Sequence, residues 1–190
     1  QSPNRNLSAD CPEATVDDAY ALQKAFVDAL IDVGDWGSVV GYKAALTAPP
    51  AQQMMGVDHP VIGVLFGGGE RVAQRAVPTD RPVMLETELG FRLRHDITAE
   101  QTEEEVGTSV QSVLPVIELA APNLEQRPNA VDLIASNSAT YAFIPGAPVA
   151  APWHDTTTRP DLDQVAIRLL QENDMLHADQ AGSIMRGQWH

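Results

Sequence analysis

The 190-residue chain carries 26 acids against 12 lysines and arginines, a formal charge of −14, which speaks against nucleic acid and against an anionic membrane surface as partners. Its 44% hydrophobic content can bury a sizeable core, no apolar run reaches the roughly 20 residues of a bilayer-spanning helix, and Cys11 is the only cysteine, so no intramolecular disulfide can form. A small substrate or another protein is the expected partner. The chain starts at Gln1 rather than Met; the reading leans towards export with removal of a signal peptide, against trimming or a cut boundary, and one thiol does not settle the compartment.

Residues 1 to 14 are polar, contain Pro3 and Pro12, and read as a flexible arm. Residues 15 to 190 read as a single domain. Thr15 can N-cap a helix from about Val16 to Val33, with Val16, Tyr20, Phe26, Val27, Leu30 and Ile31 as its apolar stripe and Gly34 as its stop. Strands and loops should alternate from Val39 to Phe66 around Pro49, Pro50, Gly56, Pro60 and Gly63. Gly67, Gly68 and Gly69 lack the spacing and the Lys-Ser/Thr sequel of a phosphate loop, and predict a flexible turn or lid.

The run from Val83 to Leu93 predicts a strand, because Val83, Leu85, Thr87, Leu89, Phe91 and Leu93 share one parity. Thr98 and Gln101 then suggest a capping box for a helix with Val106, Val110, Val113 and Leu114 on one face, and Glu103, Glu104 and Glu105 suit its first turns. Pro115 disfavours helix before it and hands the chain to a strand around Glu118. An apolar run from Val131 to Ala135 leads into Ser136, Asn137 and Ser138, and Val165 to Leu169 begins another strand with a turn near Asn173-Asp174. The pattern is mixed α+β with a β core.

Glu86 and Glu88 both point away from the apolar parity of their strand. Side chains two positions apart on a strand lie about 6.6 Å apart along the backbone, so two flexible carboxylates can converge on one cation. Glu118 is a third acid, in the apolar run Val116 to Ala120, where an uncompensated charge is costly. Carboxylates without Cys or His select a hard divalent ion such as Mg²⁺ or Mn²⁺. A strand face whose acids sit in water is the competing reading, and Glu118 brings the two into balance. Neither His59 nor His154 has a spaced partner that would make a zinc set.

The motifs follow in order: Gly41-Tyr42-Lys43, Leu46-Thr47, Gly56 to Pro60 with Gly63, Glu86 and Glu88, Leu114-Pro115 ahead of Glu118, and Asp132 ahead of Asn137-Ser138. Over roughly residues 16 to 187 this order resembles the 2-oxopent-4-enoate hydratases and their sister 4-oxalocrotonate decarboxylases, within the fumarylacetoacetate hydrolase superfamily. The resemblance implies a mixed β-sheet roll or barrel core with flanking helices, like the C-terminal domain of that superfamily. It also implies that Glu86, Glu88 and Glu118 hold Mg²⁺ or Mn²⁺. Lys43 and Asp58 would be catalytic, with Leu46, Thr47 and Ser138 at the substrate. From the residues alone, Asp58 is equally a turn residue before His59-Pro60, and Lys43 could snorkel to the surface.

The implied reaction is hydration of a 2-hydroxydienoate or 2-oxo-enoate to a 4-hydroxy-2-oxo acid, with Lys43 holding a carboxylate or donating a proton. Decarboxylation of a 2-oxo diacid uses the same enolate stabilisation. Family members continue for some tens of residues beyond a point like Gly182 to Met185, so a shortened, non-catalytic acid-binding or assembly subunit is the alternative from another class. A homo-oligomer, or a complex with a pathway partner, is expected by analogy with the family.

Overall fold

In a computed structural model of the chain, the structure describes residues 2–150, 161–184 and 188. His154 lies outside them. The helices are α1 (Leu7–Asp10), α2 (Val16–Val33), α3 (Pro49–Met55), α4 (Glu103–Thr108) and α5 (Ala130–Ala135). The strands are β1 (Val39–Ala45), β2 (Val61–Phe66), β3 (Met84–Leu93), β4 (Val110–Ala120), β5 (Thr140–Pro145), β6 (Val149–Ala150), β7 (Ala166–Gln171) and β8 (Asp174–Gln180). β1 pairs β2 antiparallel, β7 pairs β8 antiparallel, and a four-stranded sheet runs β3-β4-β5 with β6 on β4. No helix among the described residues is long and apolar enough to cross a membrane.

By contacts the chain divides into two compact units: residues 1–71, 75–85 and 119–143, and residues 72–74, 86–118 and 144–190. In the first, α2 begins where Thr15 and Asp18 form a reciprocal capping box and ends at the left-handed Gly34. It buries Ala19, Gln23 and Val27, four residues apart on one face. The core there is Ala19, Val61, Ala120, Leu133, Ile134 and Ala139. The Gln23 amide donates to the carbonyls of Ile62 at 2.8 Å and Ile134 at 3.0 Å, tying α2 to β2 and α5.

The second unit packs Val110 and Leu162 with Leu89, Phe91, Val113 and Val165. The β7–β8 hairpin turns where sequence reading put it, just before Asp174, with Glu172 at a φ of 55°.

Several expectations change. Residues 2 to 14 are not a loose arm: α1 forms there, Asn4 bonds the backbone at Asn123 (2.8 Å) and Glu125 (2.9 Å), and Asn6 and Ser8 bond the Asp132 carboxylate. On α2, Phe26 is 37% and Ile31 46% exposed, because the buried stripe is centred on Gln23 instead. The segment 49–55, read as loop, is a helix: Pro fits the first turn, where the amide is unpaired anyway, and Gly56 closes it in the left-handed region. The capping box that starts α4 is Thr102 with Glu105, four residues later than expected. That helix ends at Thr108, so Val110, Val113, Leu114 and Pro115 lie on β4. The run 131–135 is helical and capped by Asn129 with Asp132. The triple glycine is one 3-10 turn, closed by the Glu70 amide on the Gly67 carbonyl at 3.1 Å and tied to Trp36, whose carbonyl accepts from the Gly68 amide at 2.7 Å.

Candidate functional site

β3 and β4 set the geometry of the acids. The Arg94 amide donates to the Ser109 carbonyl at 2.8 Å, and a side chain on Gly90 would meet Val116 and Leu114. β4 numbers therefore rise as β3 numbers fall, which brings residue 118 opposite residues 86 and 88. Period-two alternation puts Glu86, Glu88 and Gly90 on one face of β3. The apolar parity packs only in part, since Leu89 and Phe91 join the second core while Leu85 is 52% exposed.

Glu86, Glu88 and Glu118 each offer a carboxylate oxygen, and all three lie within 4.8 Å of one another. Glu86 and Glu88 are half-buried, whereas Glu118 is 2% exposed. Three carboxylates this close repel one another, and burial of one removes the water that would soften the repulsion. Neighbouring oxygens around an octahedral Mg²⁺ lie about 3 Å apart at its usual bond length of roughly 2.1 Å, so small side-chain rotations would close the group on a cation. The donor set is all oxygen, which fits Mg²⁺, Mn²⁺ or Ca²⁺ and not a soft metal.

The first unit holds the other predicted residues. Lys43 is buried on β1, opposite Gly63 of β2. A Cβ on Gly63 would stand 2.7 Å from Thr140 Oγ1, 3.1 Å from Lys43 Cε and 3.1 Å from Ser138 Cβ. Glycine is thus what lets the lysine stem, Ser138 and Thr140 meet. Ser138 is 1% exposed, and its hydroxyl donates to the Ile62 carbonyl at 2.8 Å. Its proton is therefore committed to the frame.

The turn carrying Ser138 is unusual: Asn137, Ser138 and Ala139 all have left-handed φ values, of 61°, 53° and 58°. Non-glycine residues pay for that conformation, and consecutive ones persist only where surrounding bonds hold them. The Asn137 side chain accepts from the Val64 amide and donates to the Val64 carbonyl, and the Ser138 amide donates to the Leu133 carbonyl at 2.7 Å.

Asp58 does not join this group. Its side chain is 98% exposed and bonded to His59 Nδ1 at 2.8 Å, and that bond holds its carboxyl below the usual range. Leu46 has a φ of 55°, packs against the first core, and its carbonyl accepts from Gln52 Nε2 at 2.8 Å. Thr47 is half-buried. Thr140, which the structure places beside Lys43 and Ser138, carries no signal of its own in the sequence.

No family model matches the chain. Curated proteins do: it is 32% identical over 145 residues to the 2-keto-4-pentenoate hydratase of Paraburkholderia xenovorans (strain LB400), covering 74% of this chain and 53% of that protein. The 2-oxo-hept-4-ene-1,7-dioate hydratase of Escherichia coli is 30% identical over 152 residues, covering 75% of this chain and 56% of that protein. The chain belongs to the family of these hydratases. It spans about half the length of these curated relatives. The solved 4-oxalocrotonate decarboxylase from Pseudomonas putida G7, complexed with calcium and acetate, has the same fold, with a TM-score of 0.82 at 19% identity over 97% of this chain and 68% of that one. The same enzyme complexed with magnesium and adipate gives 0.78 at 18% identity, covering 97% of this chain and 69% of that one. The hydratase family's architecture here is a mixed α+β fold of antiparallel sheets with few helices.

Proposed function

We propose that the chain is part of a metal-dependent lyase that adds water to a 2-hydroxydienoate or 2-oxo-enoate to give a 4-hydroxy-2-oxo acid. The observation that carries this is the carboxylate triad, gathered within 4.8 Å in a chain whose curated relatives are named as hydratases. Glu86, Glu88 and Glu118 would hold the cation, Mg²⁺ or Mn²⁺; calcium and magnesium accompany the decarboxylase of the same fold. When bound, the cation would supply the Lewis acidity that a 2-oxo acid needs to interconvert its enol and keto forms.

The protein's own groups do the remaining work. Lys43 would pair with a substrate carboxylate or deliver the proton that ketonisation requires. Its stem is fixed by burial and by the glycine opposite, so its reach is limited to one side of β1. Ser138 and the backbone at Leu46 and Thr47 would shape the surroundings of the substrate. Asp58, exposed and bonded to His59, would have to move to take a part.

Decarboxylation of a 2-oxo diacid is the second reading, since it draws on the same electron withdrawal. The finer fold assignment, a roll or barrel like the fumarylacetoacetate hydrolase C-terminal domain, rests on the same likeness. A homo-oligomer, or a complex with a pathway partner, belongs to the proposal as well.

The test is calorimetric titration with Mg²⁺ and with Mn²⁺, with and without oxalate, on the wild-type chain and on Glu118→Gln, followed by assays with a 2-hydroxydienoate and a 2-oxo diacid. Metal binding that oxalate strengthens and Glu118→Gln weakens at least tenfold supports the reading. Full turnover in Glu86→Gln would sink the metal assignment.

A further inference from the structure

We propose that Thr140 is a positioning residue for Lys43: its hydroxyl is an internal docking point for the lysine ammonium. The inference rests on the reading above that Lys43 acts on the substrate.

Thr140 Oγ1 is buried and has no hydrogen-bond partner among the described residues. An enclosed hydroxyl left that way costs about 1–3 kcal/mol, enough that its presence in a core calls for a reason. The nearby polar groups do not satisfy it. The Ser138 hydroxyl donates to Ile62, the Asn137 amide is taken up by Val64, and the Thr140 backbone amide bonds the Asn137 carbonyl at 3.0 Å.

The side chain that shares the space is Lys43. Both Thr140 Oγ1 and Lys43 Cε crowd the same point, the empty Cβ position of Gly63. Oγ1 stands 2.7 Å and Cε 3.1 Å from that point, and the ammonium, one bond beyond Cε, would reach the hydroxyl oxygen by turning about the last side-chain torsions. An ammonium offers three donors and no acceptor, whereas a threonine oxygen offers lone pairs. The chemistry of the two groups is therefore complementary.

Two further features suit such a role. Gly63 leaves the stem a channel that any side chain would fill, and the left-handed turn at 137–139 fixes where β5 starts, and with it the hydroxyl. Lys43 would thus have two bonded positions, one engaged with its present surroundings and one on Thr140. The hydroxyl limits the wandering of a flexible side chain that must meet a small acid in one orientation.

The experiment is a double-mutant cycle on the Mg²⁺-loaded chain, with 2-oxopentanoate binding as readout, using Thr140→Val, Lys43→Met and both together. Thr140→Val is expected to weaken binding about fivefold in the wild-type background and to have no effect in the Lys43→Met background. Thr140→Ser should restore the wild-type value, and Mg²⁺ affinity and melting temperature should stay unchanged or rise in Thr140→Val. An equal loss in both backgrounds would overturn the coupling to Lys43, and no loss in either would overturn any role for the hydroxyl. Wild-type protein that binds Mg²⁺ but no 2-oxo acid would bring down the functional reading, and this inference with it. Lys43→Met binding as tightly as wild type would remove the lysine's role alone.

Discussion

Asn137 pairs with Val64 as a neighbouring strand would, its amide oxygen accepting from the Val64 N–H at 2.7 Å and its amide nitrogen donating to the Val64 carbonyl at 2.9 Å. One side chain thus completes the hydrogen bonding of a β2 residue and fixes the turn that carries Ser138 and Thr140. Asn137→Ala should strand both Val64 groups and cost about 3 kcal/mol. Urea denaturation measures it; a loss below about 1 kcal/mol would mean that water substitutes for the side chain.

Gly63→Ala should cost about 1–3 kcal/mol through overpacking, because the added methyl meets Thr140, Lys43 and Ser138 at 2.7, 3.1 and 3.1 Å. The added methyl would press on the lysine stem and displace it, so 2-oxo acid binding should fall further than the melting temperature suggests. A variant with native binding would show that the channel is wider than it looks.

Asp132 makes stability depend on acid. Burial pushes its carboxyl up, but hydrogen bonds from the Ser8 amide, the Asn6 and Ser8 side chains and the Asn129 amide outweigh it and hold the group below the ordinary value of 3.8. A depressed folded-state value stabilises above the unfolded value and loses that contribution as pH falls through the folded one. The chain should therefore weaken below about pH 4, and Asp132→Asn, less stable at neutral pH, should show a flatter acid limb. Urea midpoints from pH 6 downwards test this; parallel limbs would assign the acid sensitivity elsewhere.

A cation bound only by the folded chain stabilises it by mass action, about 2.7 kcal/mol at a hundred times its dissociation constant. Mg²⁺ should raise the melting temperature, EDTA should reverse the rise, and Glu118→Gln should remove it. A Mg²⁺-dependent rise that persists in Glu118→Gln would take Glu118 out of the ligand set.

The sequence disclosed what depends on local periodicity and caps. Thr15 and Gly34 bracket α2 correctly, and the alternation around Glu86 and Glu88 exposes the acid pair before any fold is known. Glu118 was legible because a charge in an apolar run demands a partner. What stayed hidden depends on competing local signals or on distant contacts. Pro49-Pro50 reads only among strands and loops, yet proline fits a helix's first turn, and the cap of α4 lies at Thr102 rather than at the expected Thr98. The left-handed turn at 137–139 and the burial of the Thr140 oxygen arise from β2, more than seventy positions away. No pattern within the turn announces them.

That turn also bears on the order of folding. Holding Ser138 and Ala139 left-handed costs about 1–2 kcal/mol each, and the bonds that offset it, from Asn137 to Val64 and from Ser138 to Ile62, span 73 and 76 positions of chain. The local bonds, such as the Ser138 amide to Leu133 and the Thr140 amide to Asn137, engage only the backbone, and both side-chain anchors wait for β2, so the turn should snap into place after the transition state. Ala139→Gly, which relieves strain there, should then slow unfolding while leaving the refolding rate nearly unchanged. Stopped-flow measurement of both limbs decides it, and a faster refolding limb would put the turn in the nucleus instead.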